Sequence, residues 1–274
     1  MIGEGAADAA ALRHDGPVHY VESGTGTPLV LLHAFPVDAR MWDRARAQLD
    51  DGARVITPDQ RGLGASPLGG DLSAPSVDVA AADVLELLDE LGLQRVVLGG
   101  CSMGGYVAMA VLRRAPERVA GLLLVDTKAE ADTEQARDDR LAAADRAERE
   151  GTEGWLADGT VPNVLGATTQ QQRPQVVSEI REQVSSQPAE GVAWAQRAMA
   201  GRPDSAETLR GFTGPALVVA GEEDALTPPE AARNLAALLP NSAQRVVPRT
   251  GHLVPAEDPE AFAATVRPWL EELS

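Results

Sequence analysis

The run Gly100-Cys101-Ser102-Met103-Gly104 sets a serine hydroxyl between two glycines, after the apolar Val96-Val97-Leu98 and before the helical pattern Tyr106-Val107-Ala108-Met109-Ala110. A strand, a sharp turn and a helix in that order hold a serine in a strained backbone at a strand end, its Oγ clear of the fold. Gly100 and Gly104 suit the turn because the two backbones approach too closely there for a Cβ. The N–H of Met103 then lies at a helix N-terminus, where the helix dipole favours negative charge. The chemistry so prepared is nucleophilic attack by Ser102.

A serine hydroxyl needs a base, and the base needs a third group to orient it. The chain has four histidines. His14 and His19 come early, on or before an edge strand, and His33 ends an apolar run beside a candidate oxyanion loop. His252 sits in Thr250-Gly251-His252-Leu253, after the last strand pattern, where a side chain can swing over the sheet end; it is the candidate base. The orienting carboxylate belongs at another strand end. Asp224, after Val218-Val219-Ala220-Gly221-Glu222-Glu223, gives the chain order serine, acid, histidine. Asp126 is the rival, Glu222 and Glu223 are weaker ones, and Asp224 is preferred because its loop must lie beside that of His252. For the oxyanion, the backbone N–H groups of Met103 and Phe35 are the candidates, which leaves His33 as a residue bracing the Phe35 loop. Losing one such donor costs about 10²–10³ in rate.

The elements that must carry these residues alternate. Strand patterns fall at Val18-His19-Tyr20-Val21, Leu29–Leu32, Arg54–Thr57, Val96–Leu98, Val119–Val125, Pro215–Gly221 and Arg245–Val247. Helical spacing predicts helices over Met41–Leu49, Ser76–Leu91, Pro229–Leu239 and Pro259–Leu273, besides the one after Ser102. This alternation predicts an α/β fold with a mostly parallel central sheet flanked by helices. From Thr127 to Arg210 it stops. Charged helical patterns take over at Thr133–Arg149, Gln170–Ser186 and Gly191–Ala200. Residues 127–210 are therefore read as a helical cap over the strand ends, inserted in a core of residues 1–126 and 211–274. Trp155, Leu156, Val164, Leu165, Trp194 and Met199 are the apolar residues available to pack the cap or wall a pocket, with Leu226 and Leu253 contributed by the acid and base loops.

Composition sets limits. A chain of 274 residues with formal net charge −17 repels phosphate backbones and anionic lipid, which argues against nucleic-acid and membrane-surface roles. Cys101 is the single cysteine, so no internal disulfide is possible; beside Ser102 it reads as a small buried filler. The first residues lack the basic start and apolar core of a signal peptide, and no apolar run has membrane-spanning length, so a cytoplasmic location is expected.

His33-Ala34-Phe35-Pro36, Asp59-Gln60-Arg61-Gly62-Leu63-Gly64-Ala65-Ser66, Gly100-Cys101-Ser102-Met103-Gly104-Gly105, Gly221-Glu222-Glu223-Asp224 and Gly251-His252 together resemble the α/β-hydrolase superfamily over nearly the whole chain. Ala34 departs from the glycine that usually follows the family's histidine. Phe35 to Trp42, the Ser-Met-Gly-Gly-Tyr elbow and the helical stretch after Val125 look most like 3-oxoadipate enol-lactonases and related esterases. The resemblance implies an α/β-hydrolase fold with an inserted cap and hydrolysis of a small-molecule ester or lactone through an acyl-enzyme, with no metal or organic cofactor. A neutral imidazole base makes the rate rise as His252 loses its proton. The same triad also serves carbon–carbon bond hydrolases, thioesterases and cofactor-free perhydrolases, and the scaffold serves ligand receptors. An anionic lactone would need a basic partner, for which Arg173, Arg197 and Arg202 are available.

Overall fold

The computed structural model describes residues 11–13, 18–69 and 75–273; His14 lies outside them. Eight strands form one sheet: β1 (Ala11–Arg13), β2 (Tyr20–Ser23), β3 (Thr27–Leu32), β4 (Ala53–Pro58), β5 (Val96–Cys101), β6 (Val119–Val125), β7 (Ala216–Gly221) and β8 (Ser242–Val247). Their order is β1-β2-β4-β3-β5-β6-β7-β8. The β1–β2 and β2–β4 pairs are antiparallel and every other neighbouring pair is parallel. Leu29–Leu32, Val96–Leu98 and Leu122–Val125 are almost wholly buried, as continuous apolar runs must be when helices cover both faces of a parallel sheet. The chain is thus an α/β protein with a mostly parallel sheet.

Helices α1 (Asp43–Leu49), α2 (Val77–Glu90) and α3 (Met103–Arg114) follow β3, β4 and β5. Ser76 caps α2 by accepting the Asp78 N–H at 3.1 Å, and Gly92, with φ of +67°, takes the left-handed turn that ends it. Trp42, just before α1, meets Phe262 of the closing helix with ring centroids 5.8 Å apart. The chain leaves β3 toward one sheet edge and re-enters at β5 on the other side of β3. Ligands of open α/β sheets bind at such a reversal, outside the carboxyl ends of the strands.

Between β6 and β7 lie α4 (Glu134–Glu150), α5 (Trp155–Val164), α6 (Ala167–Gln172), α7 (Pro174–Ser185), α8 (Ala189–Ala200) and α9 (Ala206–Arg210), with no strand among the described residues. α4 starts on Thr133, whose Oγ1 accepts the Ala136 N–H at 3.2 Å, and it buries only Ala144 and Ala147. Its charge run is a solvated face. The single helix expected over Gln170–Ser186 is two helices, because Pro174 forces Arg173 out of helical geometry, to φ −126° and ψ 61°. α5 escapes the sequence pattern because Gly159 and Pro162 interrupt it. Arg202 fastens this region to α3: its guanidinium sits 4.1 Å from the centre of the Tyr106 ring, while within the region its Nη1 lies 2.6 Å from the buried Asp132 Oδ2.

Helices α10 (Pro229–Leu238), α11 (Val254–Glu257) and α12 (Pro259–Glu271) complete the described chain. β8 begins at Ser242, before the expected Arg245, since an edge strand bearing Ser, Gln and Arg shows no apolar run. Among the described residues no helix is long and apolar enough to cross a membrane.

Candidate active site

Ser102 occupies the turn from β5 to α3 with φ 51° and ψ −112°, a conformation costing a non-glycine residue about 1–3 kcal/mol. Its surroundings hold it there. The Ser102 N–H donates to Val125 O at 2.9 Å, and Thr127 Oγ1 donates to Ser102 O at 2.9 Å. A Cβ on Gly100 would overlap the Gly104 carbonyl, and one on Gly104 would overlap the Leu32 carbonyl oxygen. Small residues at these two positions let strand, helix and the end of β3 converge under the serine.

Two loops more than a hundred residues away bring the partners. His252 Nε2 stands 2.8 Å from Ser102 Oγ, and His252 Nδ1 stands 2.8 Å from Asp224 Oδ2. A carboxylate can only accept, so Nδ1 carries the proton and Nε2 is free to accept from the serine hydroxyl. Asp224 is further held by the N–H groups of Leu226 (2.8 Å) and Thr227 (3.1 Å) on Oδ1 and by the Thr227 hydroxyl (2.6 Å) on Oδ2. Burial alone would raise its pKa. The His252 hydrogen bond and charge and the Thr227 donors outweigh it and bring the carboxyl to about 2.

Asp126 ends β6 but, among the described residues, bonds to no histidine; its Oδ1 accepts the Gly221 N–H at 2.8 Å, the Val254 N–H also faces the carboxyl, and its Oδ2 is buried without a hydrogen-bond partner. Burial and the charge of Asp224 push its carboxyl well above the usual range. Glu222 accepts the Arg249 N–H at 3.1 Å and Glu223 holds Thr168, so neither reaches the imidazole. Cys101 is buried with its thiol 3.5 Å from His252 O, and burial raises its pKa far above a reactive thiol's.

The β3–β5 register pairs Leu32 with Gly100 and so sets the His33–Phe35 loop beside the serine turn. Among the described residues, neither the Phe35 N–H nor the Met103 N–H donates to a protein acceptor. His33 braces this loop: its Nε2 accepts the Gln60 N–H at 2.8 Å, Nδ1 donates to Ala34 O at 2.8 Å, and Gln60 Nε2 donates to His33 O at 2.6 Å. Burial lowers the pKa of His33, in keeping with a neutral ring. His19, by contrast, pairs with Asp59 at 2.9 Å, away from the triad atoms.

Of the expected wall residues, Trp194 and Met199 line a small cavity together with Met103, and Leu253 is buried beside His252. Trp155 lies elsewhere: its indole N–H donates to Gly151 O at 2.8 Å and Arg146 stacks 4.5 Å over its ring, so it packs within the insertion. Leu226 is 50% exposed and encloses nothing. The three arginines are engaged as well, Arg173 with Asp258, Arg197 with Asp145 and Glu148, and Arg202 with Asp132. One residue escaped the sequence reading. Glu257, in a charged run before a proline, is 2% exposed and accepts the N–H groups of Gly166, Gly251 and Leu253; only its spacing from His252 could have drawn notice.

A parallel sheet carrying a strained serine after its fifth strand, with a carboxylate and a histidine on the two loops that follow the insertion, defines an α/β hydrolase. The family model described as "alpha/beta hydrolase fold" matches residues 27–259, and the chain belongs to that family. It is similar to a thermophilic esterase from Thermogutta terrifontis solved with malate bound, at 40% identity and TM-score 0.90, covering 93% of this chain and 94% of that one. The enol-lactonase from Burkholderia xenovorans LB400 superposes with TM-score 0.84 at 28% identity, over 93% and 96% of the two chains. The dihydrolipoyllysine-residue acetyltransferase component of the acetoin cleaving system of Pseudomonas putida is 34% identical over 245 residues, 86% of this chain, which spans 61% of that relative's length.

Proposed function

We propose that the protein is a serine hydrolase of small carboxylic esters or lactones, acting through an acyl-enzyme. The unbroken relay from Asp224 through His252 to Ser102, with both links at 2.8 Å, is the observation that carries this reading. Ser102 Oγ attacks the carbonyl carbon while His252 Nε2 takes its proton; the imidazolium is stabilised by Asp224 and returns the proton to the leaving alkoxide. Phe35 and Met103 supply the two N–H donors to the oxyanion, which explains why neither is spent on the protein. Water then repeats the sequence on the acyl-enzyme. Residues 127–210 act as a cap over the strand ends of a core formed by residues 1–126 and 211–274. The esterase and the enol-lactonase among the similar structures favour esters and lactones over the other reactions this triad supports.

A panel of p-nitrophenyl esters and simple lactones, with fluorophosphonate labelling, tests the reading. Wild-type protein should turn over at least one class and be labelled, and Ser102→Ala should lose both. Labelling that survives in Ser102→Ala moves the nucleophile elsewhere. Wild-type protein that neither labels nor turns over is a binding protein on this scaffold.

A further inference from the structure

Glu257 takes no part in the acyl-enzyme scheme, yet its carboxylate is spent on the triad's surroundings. Oε1 accepts the N–H groups of Gly251 at 2.9 Å and Leu253 at 3.2 Å, the residues on either side of His252. The His252 N–H itself donates to Val164 O, at the end of α5, at 3.0 Å. Every N–H from residue 251 to 253 is therefore held. Oε2 reaches across to the Gly166 N–H at 3.0 Å, a residue 91 positions earlier, just ahead of α6. A carboxylate that reaches back to the N-terminal residue of its own short helix is an ordinary cap. That would account for Oε1 alone, and a cap does not call for a second oxygen bound to the insertion.

The contact around Gly166 is tight. A Cβ on Gly251 would overlap the Gly166 nitrogen, and one on Gly166 would crowd the Gly251 nitrogen. Glu223, next to Asp224, grips the same turn, accepting the Thr168 N–H at 2.7 Å and the Thr168 hydroxyl at 2.5 Å. The loops of both the acid and the base thus hold the turn from Val164 to Thr168.

We propose that Glu257 is a positioning residue for the base: it sets His252 over Ser102 through Gly251 and Leu253, and through Gly166 it makes the α5–α6 turn a fixed part of the triad's scaffold. This rests on the serine-hydrolase reading above. Hydrogen bonds to a carboxylate are roughly twice as strong as neutral ones. An amide in its place cannot serve both sides, because one of its ends is a donor facing an N–H that needs an acceptor.

The test counts active sites by fluorophosphonate titration and expresses kcat for p-nitrophenyl butyrate per titrated site. Glu257→Gln should lower kcat per site by about 10- to 100-fold with KM within about threefold, because misplacing a catalytic group by about 1 Å costs on the order of 10². The phosphonylation rate should fall in parallel. Glu257→Asp, which keeps the charge on a shorter arm, should recover part of the loss. If Glu257 served stability alone, fewer sites would titrate while each kept the wild-type kcat, and that result overturns the proposal. Should Glu257→Gln yield no folded protein, Glu257→Asp decides: a reduced kcat per site supports the proposal and a wild-type value overturns it. Wild-type protein that neither labels nor turns over overturns the hydrolase reading first, and this inference with it.

Discussion

Asp126 and Asp224 end neighbouring parallel strands, and both are almost sealed from solvent, at 2% and 4% exposed. The two sites differ in what surrounds the carboxyl. At the end of β6 the Gly221 N–H donates to one oxygen of Asp126, the Val254 N–H faces the same carboxyl, and no hydroxyl or imidazole joins them. At the end of β7 two N–H groups, a hydroxyl and an imidazole converge on Asp224. Burial pushes both groups toward the neutral acid; donors reverse that push at Asp224 alone, and the resulting anion further disfavours ionisation of Asp126. Depth in the fold fixes the cost of a charge, and the local supply of donors decides whether the charge exists.

The strongest way to break this comparison is to remove one acid's charge at a time. Asp224→Asn should lower kcat by about 10⁴, since an amide cannot hold the imidazole in its working tautomer; steady-state ester hydrolysis measures it, and a loss below tenfold would erase the distinction. Stability should part the two acids by sign. The folded-state pKa of Asp224, about 2, lies below its unfolded value of about 3.9, so its contribution of about 2–3 kcal/mol is complete above pH 4 and fades as pH falls toward 2. Asp126 has a raised folded-state pKa, so its contribution is full below the unfolded value and is lost as pH climbs toward the folded one. Urea titrations from pH 3 to 7 should show Asp224→Asn losing most at pH 7, while Asp126→Asn gains on the wild type as pH rises. A pH-independent difference for Asp126→Asn would mean that it is ionised in the fold.

Smaller effects sharpen the contrast. Thr227→Val deletes the hydroxyl that donates to Asp224 Oδ2 at 2.6 Å and should lower kcat/KM by about tenfold, the lower end of what one hydrogen bond to a charged group is worth. Asp126→Asn keeps an acceptor for Gly221 and should leave kcat/KM within about threefold of wild type, the size of a change with no named mechanism behind it. A larger loss would give the β6 acid a part in the chemistry.

Ser102 and Asp224 were legible because each follows an apolar run, and such runs show buried strands directly; His252 was legible from its Gly-His loop after the last strand pattern. The alternation of strands and helices, and with it the mostly parallel sheet, followed from the same signal. Glu257 was not, because nothing local separates it from Glu260 or Asp258; its importance is set by Gly166, far away in the chain. Trp155 looked like a pocket wall by residue type alone, and its direction is fixed by Gly151 and Arg146 on its own side of the insertion. The break at Pro174 was readable in principle, from the restriction that proline places on its predecessor, but the helical apolar spacing ran on through it. Turn geometry and strand burial are local properties, whereas the facing of a helix depends on what it meets.

The Arg202 guanidinium, laid on the Tyr106 ring and paired with Asp132, has one further result. Both side chains are nearly inaccessible, at 3% and 2% exposed, and separating such partners strands an uncompensated ion at a cost of about 3–5 kcal/mol. Asp132 precedes α4 and Arg202 follows α8, so the pair ties the two ends of the helical segment between β6 and β7 to each other, and these helices cannot splay apart cheaply. Followed by hydrogen exchange, the helices between β6 and β7 should open as one unit rather than one by one.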